Sequence, residues 1–138
     1  MRILIVDDED EALRAMSNFL AGTDGEIVLV SDSVEAARNI TTEHFDVMFI
    51  DYVMPPPNGM ELMSLARKSP MNHETPIVLV TGYDDFETRG KGAEAGATYF
   101  LAKPFTPEKI QSMLRAAATH CGSLKAAGAC SARDAAGL

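Results

Sequence analysis

Positive charge is scarce in this chain: 12 Lys and Arg stand against 20 Asp and Glu, a formal net charge of −8. The counterion release that drives generic binding to nucleic acid is therefore missing, and no local Lys/Arg cluster restores it, so no direct nucleic-acid partner is expected. Cysteine is nearly absent too. Cys121 and Cys130 show neither a Cys-x-x-Cys nor a Cys/His metal spacing and read as free thiols. Long hydrophobic runs are missing as well. Met1-Arg2 leads into a short apolar stretch that acids end at once, too short for a signal peptide or a membrane span. A cytoplasmic protein without a membrane partner is the expectation.

What is present suits one soluble domain: 138 residues, 46% hydrophobic and 23% charged. Five short apolar runs, Ile3 to Val6, Ile27 to Val30, Val47 to Ile50, Ile77 to Val80 and Tyr99 to Ala102, most of them rich in β-branched residues, predict strands buried on both faces. Helical periodicity lies between them, through Leu13, Met16, Phe19 and Leu20, through Val34, Ala37 and Ile40, and through Leu62, Leu65 and Ala66. A fourth helix is expected from about Asp84 to Ala95. Ile110, Met113, Leu114 and Ala117 mark a fifth, with Thr106 as N-cap and Pro107 at its first position. Strict alternation predicts an α/β fold, a doubly wound five-stranded parallel sheet with helices on both faces. No internal repeat is visible. The domain spans residues 1–119, and the Ala/Gly-rich stretch 120–138 reads as a tail or linker.

Ligands of such sheets bind beyond the carboxyl ends of the strands, near the point where strand order reverses. There the sequence places Asp7-Asp8 after the first strand, Asp51 after the third, Thr81-Gly82 after the fourth and Lys103-Pro104-Phe105 after the fifth. Singly, each has an ordinary reading as a helix cap, a turn or a solvated charge. Together they are chemically complete. Crowded carboxylates need a cation, and oxygen-only ligands favour Mg²⁺. Phosphoryl transfer needs an oxygen nucleophile, positive charge and donors for the equatorial oxygens. Asp51 can be the nucleophile, Lys103 and a metal on Asp7 and Asp8 the charge, and the Thr81 hydroxyl a donor.

The ordered set Ile-Leu-Ile-Val-Asp-Asp-Glu at 3–9, Asp51-Tyr52-Val53-Met54-Pro55 followed by Gly59, Val80-Thr81-Gly82 and Lys103-Pro104-Phe105 resembles the CheY-like receiver domain of two-component response regulators. The resemblance covers residues 2 to about 119. It implies a flavodoxin-like (βα)5 sandwich of strand order 2-1-3-4-5. It also implies Asp51 as phosphoacceptor and Mg²⁺ held by Asp7, Asp8, Asp51 and the Val53 carbonyl. The implied donor is a histidine kinase or a histidine phosphotransfer protein. Signal output would run through Thr81 and the switch aromatic Phe100 to a downstream protein on the face made by the fourth helix, fifth strand and fifth helix. Phosphorylation-dependent homodimerisation stays open. Such a protein is not a turnover enzyme.

Several positions have their own readings. Phe100 offers a ring but no hydroxyl, and Tyr99 should face the other side of the strand. The resemblance further implies that Val53 and Tyr83, two residues after Asp51 and Thr81, border the phosphate and tune its lifetime, where an apolar and a bulky neighbour would hinder water. Pro55-Pro56-Pro57-Asn58 makes a stiff connector before Gly59, whose φ freedom would serve the turn. Gly90 and Gly92 predict that the fourth helix is the loosest element, unless one of them is there for close packing. Two alternatives are weaker. A Mg²⁺-dependent phosphohydrolase would want a carboxylate where Val53 stands. A flavodoxin-like cofactor binder would not have an acidic first loop.

Overall fold

Each of the five apolar runs forms a strand in the computed structural model, which describes residues 1–83 and 85–126. β1 (Arg2–Val6), β2 (Glu26–Val30), β3 (Val47–Asp51), β4 (Ile77–Thr81) and β5 (Tyr99–Ala102) alternate with α1 (Asp10–Phe19), α2 (Ser33–Thr42), α3 (Gly59–Lys68), α4 (Phe86–Ala95) and α5 (Pro107–Ala126). All neighbouring strands pair in parallel, in the order β2-β1-β3-β4-β5. The chain therefore reverses its direction of winding between β1 and β3, and a crevice opens at their carboxyl ends.

Period-two alternation divides the core between the two faces of the sheet. On one face Leu4, Val6, Met48, Ile50 and Leu79 meet Ala36 and Ile40 of α2 and Leu62, Met63 and Ala66 of α3. On the other, Ile3, Ile5, Phe49, Val80 and Leu101 meet Leu13 and Met16 of α1 and Ile110, Leu114 and Ala117 of α5. Tyr99 and Phe100 pack on opposite faces, as the alternation requires.

The expectation of strands buried on both faces holds for β3 and β4, which are buried throughout, and for all of β1 after Arg2. It fails for β2 and β5, which are sheet edges and only partly covered. In α2 the buried stripe runs Ser33, Ala36 and Ile40, while Val34 is exposed. Asp32 caps that helix by accepting from the Val34 N–H, which sets Val34 in the first turn on the outer side. The start of α5 follows the sequence reading: Pro107 is its first residue and the Thr106 hydroxyl accepts from the Lys109 N–H at 3.2 Å. That helix continues past Thr119 to Ala126. Asp84, the rest of the tail and the side chains of Cys121 and Cys130 lie outside the described residues.

Glycine serves two different ends in α4. A Cβ at Gly90 would meet open space, whereas one at Gly92 would come within 2.7 Å of the Phe100 ring. Gly92 is thus a packing glycine, and the expectation of flexibility applies to Gly90 alone.

Arg67, at the end of α3, ties the far edge of the sheet together. Its guanidinium donates to the carbonyls of Thr75 at 2.7 Å, Gly96 at 2.7 Å, His73 at 3.2 Å and Asn72 at 3.3 Å. Gly96 is the left-handed C-cap of α4, at φ 119°. Arg67→Met is expected to lose about 2–4 kcal/mol of stability, because several half-buried carbonyls lose a charged donor together. Urea denaturation measures it, and a change within error would remove Arg67 as the tie.

Candidate functional site

Register alone brings the site residues side by side. Val6 pairs with Ile50, so Asp7 and Asp51, each the next residue, emerge on adjacent strands. Asp51 lies opposite Val80 and Thr81 opposite Ala102, so Thr81 and Lys103 follow one step on. All these positions lie at the carboxyl edge where the topology opens its crevice.

The pieces are held locally by main-chain constraints. The Asp7 carboxylate accepts from the Glu9 N–H at 2.9 Å, which turns the chain into α1. Thr81 accepts on its hydroxyl oxygen from the Tyr83 N–H at 2.8 Å, and its carbonyl accepts from the Lys103 N–H at 2.8 Å. Beyond the lysine, Phe105 meets Phe19 edge to face at 6.2 Å. The three-proline connector is fastened to α2, because Ser33 donates to the carbonyls of Pro55 at 3.0 Å and Pro56 at 3.3 Å. Asn58 and Glu61 then form a capping box that starts α3. Gly59 answers a steric need rather than the φ freedom expected of it: its φ is not positive, and a Cβ there would overlap the Asp51 carbonyl oxygen. Only glycine lets the start of α3 lie so close to Asp51.

At the centre the Lys103 ammonium bonds to Asp51 Oδ1 at 2.7 Å and to Asp7 Oδ2 at 3.3 Å. Asp7 and Asp51 are 1% and 5% exposed, so both charges sit nearly out of water. Asp8 is exposed, yet one oxygen from each of Asp7, Asp8 and Asp51 can lie within 4.8 Å of the others. Burial pushes the Asp51 carboxyl up to about 6. The Lys103 hydrogen bond pulls against this shift, and the charges of Asp7 and Asp8 add to it. Burial opposes the charge on Lys103 as well, but its bond to Asp51 and the nearby carboxylates prevail and raise it. This donor set fits a hard divalent cation: three carboxylates with no sulfur or imidazole among them, and more negative charge than one lysine neutralises.

Among the residues expected to border the site, Val53 and Tyr83 are both more than half exposed. Phe100 packs against the core beneath the Arg89 guanidinium, which lies 5.1 Å from its ring centroid. Tyr52, to which the sequence assigns no role, sets its ring edge to face with that of Tyr83 at 6.0 Å. The contact joins the residue after Asp51 to the loop after Thr81. An aromatic beside each of two strand ends was its only visible signal.

Residues 3–115 match the family model described as the response regulator receiver domain. The chain belongs to that family. It is 32% identical over 116 residues to the response regulator MprA of Mycobacterium avium (strain 104), covering 84% of this chain and 50% of that protein. It is 28% identical over 116 residues to the phosphate regulon transcriptional regulatory protein PhoB of Klebsiella pneumoniae, covering 83% and 50%. This receiver thus spans about half the length of the curated relatives it matches. Among solved structures, the chemotaxis response regulator CheY4 of Vibrio cholerae superposes with a TM-score of 0.79 at 30% identity, over 84% of this chain and 97% of that one. Receiver domains are signalling switches rather than turnover enzymes, they bind Mg²⁺ at an acidic pocket, and response regulators receive phosphate from histidine kinases. No helix among the described residues is long and apolar enough to cross a membrane.

The raised Asp51 carboxyl has a consequence for the metal-free protein. The folded state holds this proton up to about pH 6, whereas an unfolded aspartate releases it near its ordinary value of 3.8. The contribution is therefore fully present below the lower value and is lost as pH rises through the upper one, an effect on the order of 2–3 kcal/mol. Asp51→Asn should flatten the fall in stability between about pH 4 and 6 when unfolding is followed in EDTA. An identical slope in both proteins would place the titration elsewhere.

Proposed function

We propose that Asp51 is the phosphoacceptor of this receiver, taking a phosphoryl group from the phosphohistidine of a histidine kinase or a histidine phosphotransfer protein. The observation that carries the reading is the single ammonium of Lys103, bonded at once to Asp51 and Asp7 at the mouth of a three-carboxylate cluster. Asp7, Asp8, Asp51 and the Val53 carbonyl are the groups that would hold Mg²⁺. When bound, the ion neutralises the carboxylates and the oxygens of the incoming phosphoryl group.

Lys103 engages Asp51 through Oδ1, which leaves Oδ2 to attack phosphorus in line. The new bond is O–P, the bond broken is N–P of the donor, and the imidazole leaves with its electron pair and takes up a proton. Lys103 then exchanges a carboxylate oxygen for a phosphoryl oxygen, and the Thr81 hydroxyl, already positioned by the Tyr83 amide, donates to another. Drawing Thr81 toward the phosphate changes the support under β5, and Phe100 passes the change to the face made by α4, β5 and α5, where a downstream protein reads it. Val53 and Tyr83 shield the acyl phosphate from water and lengthen its life. With a net charge of −8, the partner on that face is a protein rather than nucleic acid, and a cytoplasmic location belongs to the same reading.

Incubation with acetyl phosphate and Mg²⁺ should add one phosphoryl mass to the intact protein and none to Asp51→Asn, whose amide keeps the shape but lacks the nucleophilic oxygen. Uptake by the variant would transfer the role to another residue. Mg²⁺ should also raise the melting temperature, because it binds only the folded state. Asp8→Ala should lose most of that rise. Equal stabilisation of parent and variant would mean that the ion binds elsewhere.

A further inference from the structure

α4 has almost nothing with which to hold the sheet. Of its ten residues, Phe-Glu-Thr-Arg-Gly-Lys-Gly-Ala-Glu-Ala, only Thr88 and Gly92 are buried, and its one large apolar side chain, Phe86, is 95% exposed. The apolar surface joining helix and sheet must therefore come from below. Phe100 of β5 and Leu79 of β4 supply it. A Cβ built on Gly92 would stand 2.7 Å from Phe100 Cε1, 3.3 Å from Phe100 Cζ and 2.9 Å from Leu79 Cδ2. One helical turn earlier on the same face, the Arg89 guanidinium covers the Phe100 ring.

We infer that Gly92 is the seat of the Phe100 ring: the missing side chain leaves a notch that the ring fills, closed by Arg89, and this fit sets how α4 docks on the sheet. The atoms a Cβ would strike are the ends of side chains, not backbone. Adding a methyl group would therefore evict the ring rather than break the helix. Gly90, two residues away and facing open space, provides the internal comparison, since there a methyl group only restricts the unfolded chain and favours the helix. The inference rests on the reading of Phe100 as the residue that links the site to the output face, and it adds the element against which that ring is held.

The test is a stability cycle on the full chain, Gly92→Ala and Gly90→Ala, each alone and with Phe100→Ala, followed by thermal unfolding. Gly92→Ala should lower the melting temperature by several degrees in the parent and by much less once the ring is gone. Gly90→Ala should raise it in both backgrounds. If Gly92→Ala alone does not fold, recovery in the double variant supports the seat, and failure of both overturns it. A rise with Gly92→Ala in the parent, or an equal loss in both backgrounds, also overturns it, the latter assigning the notch to Leu79. Phosphoryl uptake from acetyl phosphate should be unchanged in Gly92→Ala, while the phosphorylation-dependent change in hydrogen exchange of α4 amides shrinks at least twofold; a full response would contradict the proposal. The stability cycle needs no phosphoryl chemistry, so a protein that takes up no phosphate would sink the proposed function and leave the seat to be judged by unfolding.

Discussion

Negative charge crowded at a nearly dry edge has to be compensated, and much else in this receiver follows from how that is done. Asp7 and Asp51 are almost wholly buried, Asp8 stands beside them, and one lysine from the far end of the sequence reaches both buried carboxylates. Burial strips these carboxylates of water, and one ammonium does not make up for that loss while their mutual repulsion adds to it, so the edge is poised to take up a cation, a proton or both. The raised Asp51 carboxyl is the proton side of that balance. The same crowding that makes the cluster costly to fold makes it attractive to a divalent ion and leaves a carboxylate oxygen beside positive charge.

The sheet holds these groups at the required spacing through register rather than through a network of side chains. Adjacent parallel strands ending within one residue of each other set Asp7, Asp51, Thr81 and Lys103 in a row, and the glycine at 59 lets a helix start directly against the Asp51 backbone. At the opposite edge Arg67 binds the carbonyls that end α4 and begin β4. α4 is thus fastened at its carboxyl end by a charged donor and along its length by the buried Thr88, by Ala95 and by Phe100 and Leu79 beneath Gly92, an arrangement suited to a helix that shifts about one secured end.

The strands, their order and the gathering of the candidate residues at one sheet edge were legible because the signals are local and redundant. Each strand is a short apolar run, and the chemistry-bearing residues sit at fixed offsets from the ends of those runs, where backbone geometry leaves little choice. What escaped was what depends on a neighbour in space. Val34 fits an apolar stripe on paper, but the cap at Asp32 turns it outward. β2 and β5 carry interior-strand composition yet lie at edges, a matter of topology rather than of either strand. Gly90 and Gly92 are indistinguishable in the sequence, and only the ring of Phe100 separates them. Gly59 reads as a turn glycine in the sequence, because a close backbone approach leaves no mark there that differs from a turn. The contact of Tyr52 with Tyr83 joins two loops and could not be read from either.

The central claim is that this carboxylate cluster directs phosphoryl chemistry to one oxygen-bearing side chain, Asp51, although Asp7 and Asp8 crowd the same space. Its most direct test is reductive trapping. Protein incubated with acetyl phosphate and Mg²⁺ is treated with borohydride, which converts an aspartyl phosphate to homoserine, and peptides are sequenced by mass spectrometry. Homoserine at position 51 and at no other is the result the account requires; homoserine at position 7 or 8, or reduction spread over all three, would contradict it.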